Sequence, residues 1–196
     1  MLKGIEMFKK IILSLTLLTL SLSVTAGNNP TVRMVTNKGN IEISLNKDKA
    51  PKSVENFLQY TRSSYYNGTI FHRIIKGFMI QGGGFTKDLQ RKKTNMPIQN
   101  EADNGLKNDR GTIAMARTND PHSGTAQFFI NTVNNNSLNH TGKSMRGWGY
   151  AVFGKVTKGM DIVDSIEGTK TGARGMFPRD VPVNDIIIEK VEIINE

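Results

Sequence analysis

The chain of 196 residues contains no cysteine. Disulfides, thiol nucleophiles and thiolate-ligated metals are therefore excluded, and the chain must rely on its core for stability. Histidine is scarce: His72, His122 and His140 are the only three, their spacing does not suit a metal centre, and no H-E-x-x-H sequence occurs. No G-x-S-x-G elbow is present, which removes the common serine-hydrolase signature. The glycine run Gly82-Gly83-Gly84 is neither a P-loop nor a dinucleotide fingerprint. Basic residues are not gathered into a long run. Arg91-Lys92-Lys93 is the largest such cluster, it has no interleaved aromatics, and a solvated loop accounts for it better than a nucleic-acid surface. No metal or cofactor is expected, and no nucleic-acid partner.

Long apolar runs are also missing. The longest, Ile11 to Val24, has 14 residues, short of the roughly 18 expected of a membrane-spanning helix. Lys3, Lys9 and Lys10 precede it, and Val24-Thr25-Ala26 supplies small residues before Gly27. This is the pattern of a cleaved secretory signal peptide over residues 1–26, with an uncleaved anchor as the alternative. No cysteine follows the run, so lipid attachment there is excluded. The reading divides the chain into a signal peptide, 1–26, and one domain, 27–196. It implies export, most naturally to a periplasm, with no membrane span after processing. Net charge is +9; residues 1–26, with three Lys and one Glu, carry +2 of it, which leaves +7 on the remainder. About 170 residues can bury a sizeable single core.

Along that domain, Thr31–Thr36 and Asn40–Leu45 alternate around Asn37-Lys38-Gly39 and predict a hairpin with glycine at a positive-φ position. Ala50-Pro51 opens a helix whose apolar face is Val54, Phe57, Leu58 and Thr61. Asn67-Gly68 marks a turn. Strands are predicted over 111–117, 125–133, 150–156 and within 183–194. Met160, Ile162, Val163 and Ile166 predict a short second helix. Residues 86–110 are rich in Asn, Lys and Asp and form a long loop, a kind of segment that is usually functional. Many strands with two helices suit a closed barrel, although the pattern alone does not separate a barrel from a sandwich.

The densest chemistry lies in Phe71-His72-Arg73-Ile74-Ile75-Lys76-Gly77-Phe78-Met79-Ile80-Gln81. It offers one fixed cation, one amide, large apolar groups and no nucleophile. As a strand, Phe71, Arg73 and Ile75 would share one face, with His72 opposite in a structural role. An Arg among Ile and Phe is costly unless it lines a pocket. In Gly124-Thr125-Ala126-Gln127-Phe128-Phe129-Ile130-Asn131, the side chains of Gln127, Phe129 and Asn131 would likewise share a face. Such a cleft suits binding and polarising a neutral amide rather than hydrolysing it.

The motif F-H-R-x-I-x-G-F-M-x-Q-G-G-x-F, followed by M-A-R, Q-F-F-I and V-F-G-K-V, resembles the cyclophilin-type peptidyl-prolyl isomerases. The resemblance runs from about Val32 to the C-terminus, and Gly147-Trp148-Gly149-Tyr150 with Thr171 to Met176 is similar to the bacterial branch. It implies a mainly β fold, an eight-stranded antiparallel barrel capped by two α-helices, with the site on its outer face. It implies catalysis of rotation about X-Pro bonds in exported or unfolded proteins by a monomer, with proline-containing polypeptides as partners. Arg73 takes the catalytic position, with Gln81 orienting it. Phe78, Met79, Phe129 and Leu138 form the proline pocket. Ala116, Arg117 and Gln127 hold the peptide backbone, and Tyr150 stands where many relatives have histidine. Ser137 stands where eukaryotic members carry tryptophan, so tight cyclosporin binding is not expected. A binding module or chaperone with incidental turnover is the competing function.

Overall fold

The computed structural model describes residues 29–196. The signal peptide expected over residues 1–26 lies outside the described residues. Strands dominate the rest, with two α-helices and two one-turn 3-10 helices.

The chain opens with the expected hairpin, β1 (Thr31–Thr36) and β2 (Gly39–Leu45). Gly39 has φ +132°, and a Cβ there would come within 2.7 Å of Ile162 Cδ1, so any larger residue meets both backbone strain and a clash. Helix α1 (Pro51–Arg62) follows. It starts at proline, which loses nothing by lacking an N–H in the first turn, and it buries Val54, Phe57, Leu58 and Thr61. Its orphan N–H groups are capped from a distance. The Glu101 carboxylate accepts from Lys52 N (3.0 Å), Ser53 N (2.8 Å) and Ser53 Oγ (2.7 Å). A carboxylate suits this end because it also opposes the positive end of the helix dipole.

Next come β3 (Thr69–Ile70), β4 (Arg73–Ile75), β5 (Met79–Gly82), β6 (Thr112–Met115), β7 (Phe128–Asn131) and β8 (Val152–Lys158). Helix α2 (Met160–Glu167), a hairpin of β9 (Thr171–Arg174) and β10 (Phe177–Pro182), and β11 (Ile187–Asn195) complete the chain. Among the described residues nine strands form one antiparallel sheet in the order β3-β11-β1-β2-β8-β6-β7-β5-β4; β9 and β10 stand apart as a two-stranded sheet.

The architecture is mainly β with two helices, as expected, but the eight-stranded closed barrel is realised as a curled nine-stranded half-barrel. The edge strands β3 and β4 are separated only by Phe71 and His72, yet no ladder joins them. The backbone there bonds elsewhere: Ile70 N donates to Phe85 O (3.0 Å), beyond the end of β5, and Phe71 N to Ile186 O (2.9 Å), just before β11. The strand expected over 71–75 is therefore broken at its start. Phe71 turns into the core, fully buried and edge-on to Phe128, rather than sharing a face with Arg73. The backbone bond to Ile186 fixes that outcome, because it draws Phe71 toward β11 before β4 begins.

The inner core is a run of touching rings, Tyr66, Phe57, Phe153 and Phe128, packed under the curl with the aliphatic residues of β1 and β2. A second, smaller cluster of Met79, Ala114, Phe129 and Val152 lies on the other face of the sheet. Strand β7 serves both, since alternation puts Phe128 and Ile130 on one side and Phe129 on the other.

Candidate active site

The outer cluster floors a cavity of about 370 Å³. Register explains its contents. Arg73 on β4 pairs with Gln81 on β5, Gln81 pairs with Phe129 on β7, and Phe129 pairs with Ala114 on β6. Outward side chains of four adjacent strands thus fall on one line across the sheet.

All ten residues singled out in the sequence line this cavity: Arg73, Phe78, Met79, Gln81, Ala116, Arg117, Gln127, Phe129, Leu138 and Tyr150. Gln81 Nε2 donates to Gln127 Oε1 at 3.0 Å, which links the two amides across β5 and the approach to β7. Gly84 makes room for that pair, since a Cβ there would lie 2.5 Å from Gln127 Cγ. The floor is apolar: Met79 and Phe129 are nearly fully buried, with Phe78 and Leu138 half-buried above them.

On one rim, Tyr150 meets Phe129 edge-on at 5.6 Å and lies under the Arg117 guanidinium at 4.6 Å. Arg117 is itself tied down, with Nε donating to Gly149 O (2.9 Å) and Nη1 to Thr118 O (2.9 Å). This rim depends on the long loop. Asn108 Nδ2 donates to both Leu138 O and Tyr150 O at 3.2 Å, and Asn108 N donates to Asn139 Oδ1 at 2.7 Å. Asn100 Nδ2 donates to Gly149 O at 3.2 Å. The asparagines that make residues 86–110 look like an unstructured loop hold the rim in place.

The opposite rim carries Arg73, 41% exposed, with neither terminal guanidinium nitrogen hydrogen-bonded to the protein among the described residues. His72, Phe85 and Phe177 also line the cavity, and the sequence reading did not place them there. His72 lies beside Phe85 (4.6 Å) and Phe177 (5.7 Å), so it faces the same cavity as Arg73 rather than the opposite side of a strand. Burial, together with the neighbouring Arg73 charge, pushes its pKa down to about 4, so it is neutral near pH 7. Phe85 could have been suspected from its place at the end of the glycine run. Phe177 carries no local signal, because its position depends on how the β9–β10 hairpin folds back. Trp148 does not enter the cavity. It is buried against His122 (4.9 Å) and His140 (5.4 Å), and it does not replace the indole missing at exposed Ser137.

Fold and site together present an apolar pocket beside an amide pair and a guanidinium. Among the described residues no carboxylate, serine or threonine lines the cavity. The profile of the cyclophilin type peptidyl-prolyl cis-trans isomerase family matches residues 31–193. A Streptomyces antibioticus peptidyl-prolyl cis-trans isomerase, cyp18, is 62% identical over 165 residues, covering 84% of this chain and 98% of its own. Peptidyl-prolyl cis-trans isomerase B of Escherichia coli strain K12 is 60% identical over 158 residues, covering 81% and 96%. A crystal structure of a Cryptosporidium parvum cyclophilin type isomerase in the presence of the dipeptide Ala-Pro superposes with a TM-score of 0.68 at 31% identity, covering 85% of this chain and 99% of that one. The chain belongs to the cyclophilin type peptidyl-prolyl cis-trans isomerases. Its enzyme class is that of the peptidyl-prolyl cis-trans isomerases.

Proposed function

We propose that the protein catalyses rotation about X-Pro bonds in exported or unfolded polypeptides and so assists their folding. The proline ring occupies the space over Phe78, Met79, Phe129 and Leu138. The adjoining backbone runs past Ala116, Arg117, Gln127 and Tyr150. The observation that carries this reading is the Arg73 guanidinium at the lip of an apolar cavity, with its two terminal nitrogens unbonded and no carboxylate among the cavity-lining side chains of the described residues.

Rotation about an amide is opposed by resonance between the nitrogen lone pair and the carbonyl, a barrier of about 18–20 kcal/mol. In the twisted state the nitrogen becomes pyramidal and recovers its lone pair. A donor aimed at that nitrogen is bonded more strongly in the twisted state than in either planar isomer, which is the condition for catalysis. Arg73 stays charged throughout and has donors to spare. Gln81 sits beside it across the ladder, with its own amide held by Gln127. No proton is transferred, so a neutral His72 is compatible with the step. The ring in its pocket contributes affinity of only a few kcal/mol by area, and that affinity is common to both isomers.

Export, a monomeric state and freedom from nucleic acid belong to the same proposal. The basic, apolar and small-residue order of residues 1–26 supports export, and the lack of a long basic run supports freedom from nucleic acid. The test is exchange NMR on an Ala-Pro-containing peptide with the protein at catalytic concentration. Faster cis-trans exchange is expected. Saturable binding without faster exchange would replace the enzyme with a proline-peptide-binding chaperone.

A further inference from the structure

Among the described residues, the Arg73 guanidinium meets one acidic side chain, and it comes from outside the nine-stranded sheet. Asp180 lies on β10 of the separate hairpin, its Oδ2 3.8 Å from Arg73 Nε and 3.6 Å from Arg179 Nε. Its backbone is left-handed, with φ +70°. Aspartate tolerates that conformation better than most residues, but it remains unfavourable and persists only where the surroundings impose it.

The surroundings here are specific. In the hairpin Phe177 pairs with Arg174 and Val181 with Gly172, with a register shift between, so residues 178–180 bulge out of the ladder. Both ends of the bulge are anchored. Phe177 packs edge-on against Phe85 at 5.2 Å, and Val181 is buried. The strained residue is thus delivered to one place, beside β4, with its carboxylate at the Nε edge of the guanidinium. The side chain of Asp180 is only 22% exposed there. Arg179 shares the carboxylate from solvent, being 81% exposed.

We propose that Asp180 is a positioning residue for the isomerisation. It holds the Nε edge of Arg73, and the two terminal nitrogens, which have no partner among the described residues, are left to face the bound amide. The hairpin is then part of the site, supplying Phe177 as wall and Asp180 as brace. The proposal rests on the reading of Arg73 as the group that acts on the prolyl nitrogen.

The test is a double-mutant cycle on the peptide exchange reaction, with kcat and KM separated. Asp180→Asn keeps the shape and the tolerance for left-handed backbone but removes the charge; Asp180→Gly removes the charge and the strain together. Both should lower kcat about five- to twentyfold with KM within about twofold, the size expected of a misaimed rather than a missing group. In an Arg73→Ala background, Asp180→Asn should cost nothing further, whereas a structural role would add its loss. The Arg73 Nε–H resonance should shift and broaden in Asp180→Asn. A wild-type kcat in both Asp180 variants, or an additive loss in the Arg73→Ala background, would overturn the proposal. A wild-type kcat in Arg73→Ala alone would overturn the reading beneath it, and with it the proposal.

Discussion

Arg73 and His72 are adjacent in the chain and line the same cavity, yet their surroundings differ. The guanidinium reaches solvent at the rim, while the imidazole is buried between rings and is held neutral. That difference has a consequence for stability. The folded pKa of His72 is about 4 against an ordinary value of 6.5. Between those values the unfolded chain takes up a proton that the folded chain refuses, so the burial of neutral His72 favours folding fully above pH 6.5 and progressively less as pH falls toward 4. The loss from this group is at most about 3 kcal/mol. Thermal melts of His72→Gln should therefore fall less steeply between pH 6.5 and 4.5 than those of the wild type, while isomerase activity from pH 6 to 8 changes little. Parallel melting curves would contradict the assignment. At this scale the sequence was informative where a residue's place follows from its strand position, as for Arg73, Gln81 and Phe129. It was silent for Phe177 and Asp180, whose places are set by a distant hairpin and its bulge.

The elements show why some of the fold could be read and some could not. Helix α1 and the β1–β2 hairpin announce themselves by period and by punctuation at Pro51 and Gly39. The β9–β10 hairpin lacks that alternation, because Pro178 and the left-handed Asp180 interrupt it. Residues 86–110 have few apolar residues, and much of their order comes from amide hydrogen bonds that no periodicity encodes. Asn108 is the clearest case: fully buried, it ties Leu138 and Tyr150 to the sheet. Asn108→Ala takes the side-chain donor from Tyr150 O and an acceptor from buried Asn131 Nδ2, while Leu138 O keeps Tyr150 N, and should cost about 1–3 kcal/mol in urea denaturation. KM for a proline peptide should rise several-fold with a smaller change in kcat, since the rim binds but does not act on the amide. An unchanged KM would mean that the long loop does not shape the substrate site.

The whole molecule is a half-barrel whose inner face is core and whose outer face is site, and β7 is shared between them through Phe128 and Phe129. Its general form could be read because strands, turns and two helices follow one another in order; its nine-stranded, unclosed form could not, because the pattern does not show that β3 and β4 leave each other unpaired while Phe71 bonds to Ile186. The reading of residues 1–26 predicts that mass spectrometry of the envelope fraction finds a chain beginning at Gly27. A full-length chain retained in membranes would favour an anchor. The central claim, however, is that a free guanidinium on the outer face lowers an amide rotation barrier. Exchange NMR on one proline peptide, with Arg73→Ala at saturating protein and its fold checked by its amide spectrum, tests it most directly. The account predicts exchange slowed by about a hundredfold or more relative to wild type, as expected for removal of a preorganised donor, with peptide affinity changed far less. Near wild-type exchange in the folded variant would contradict it.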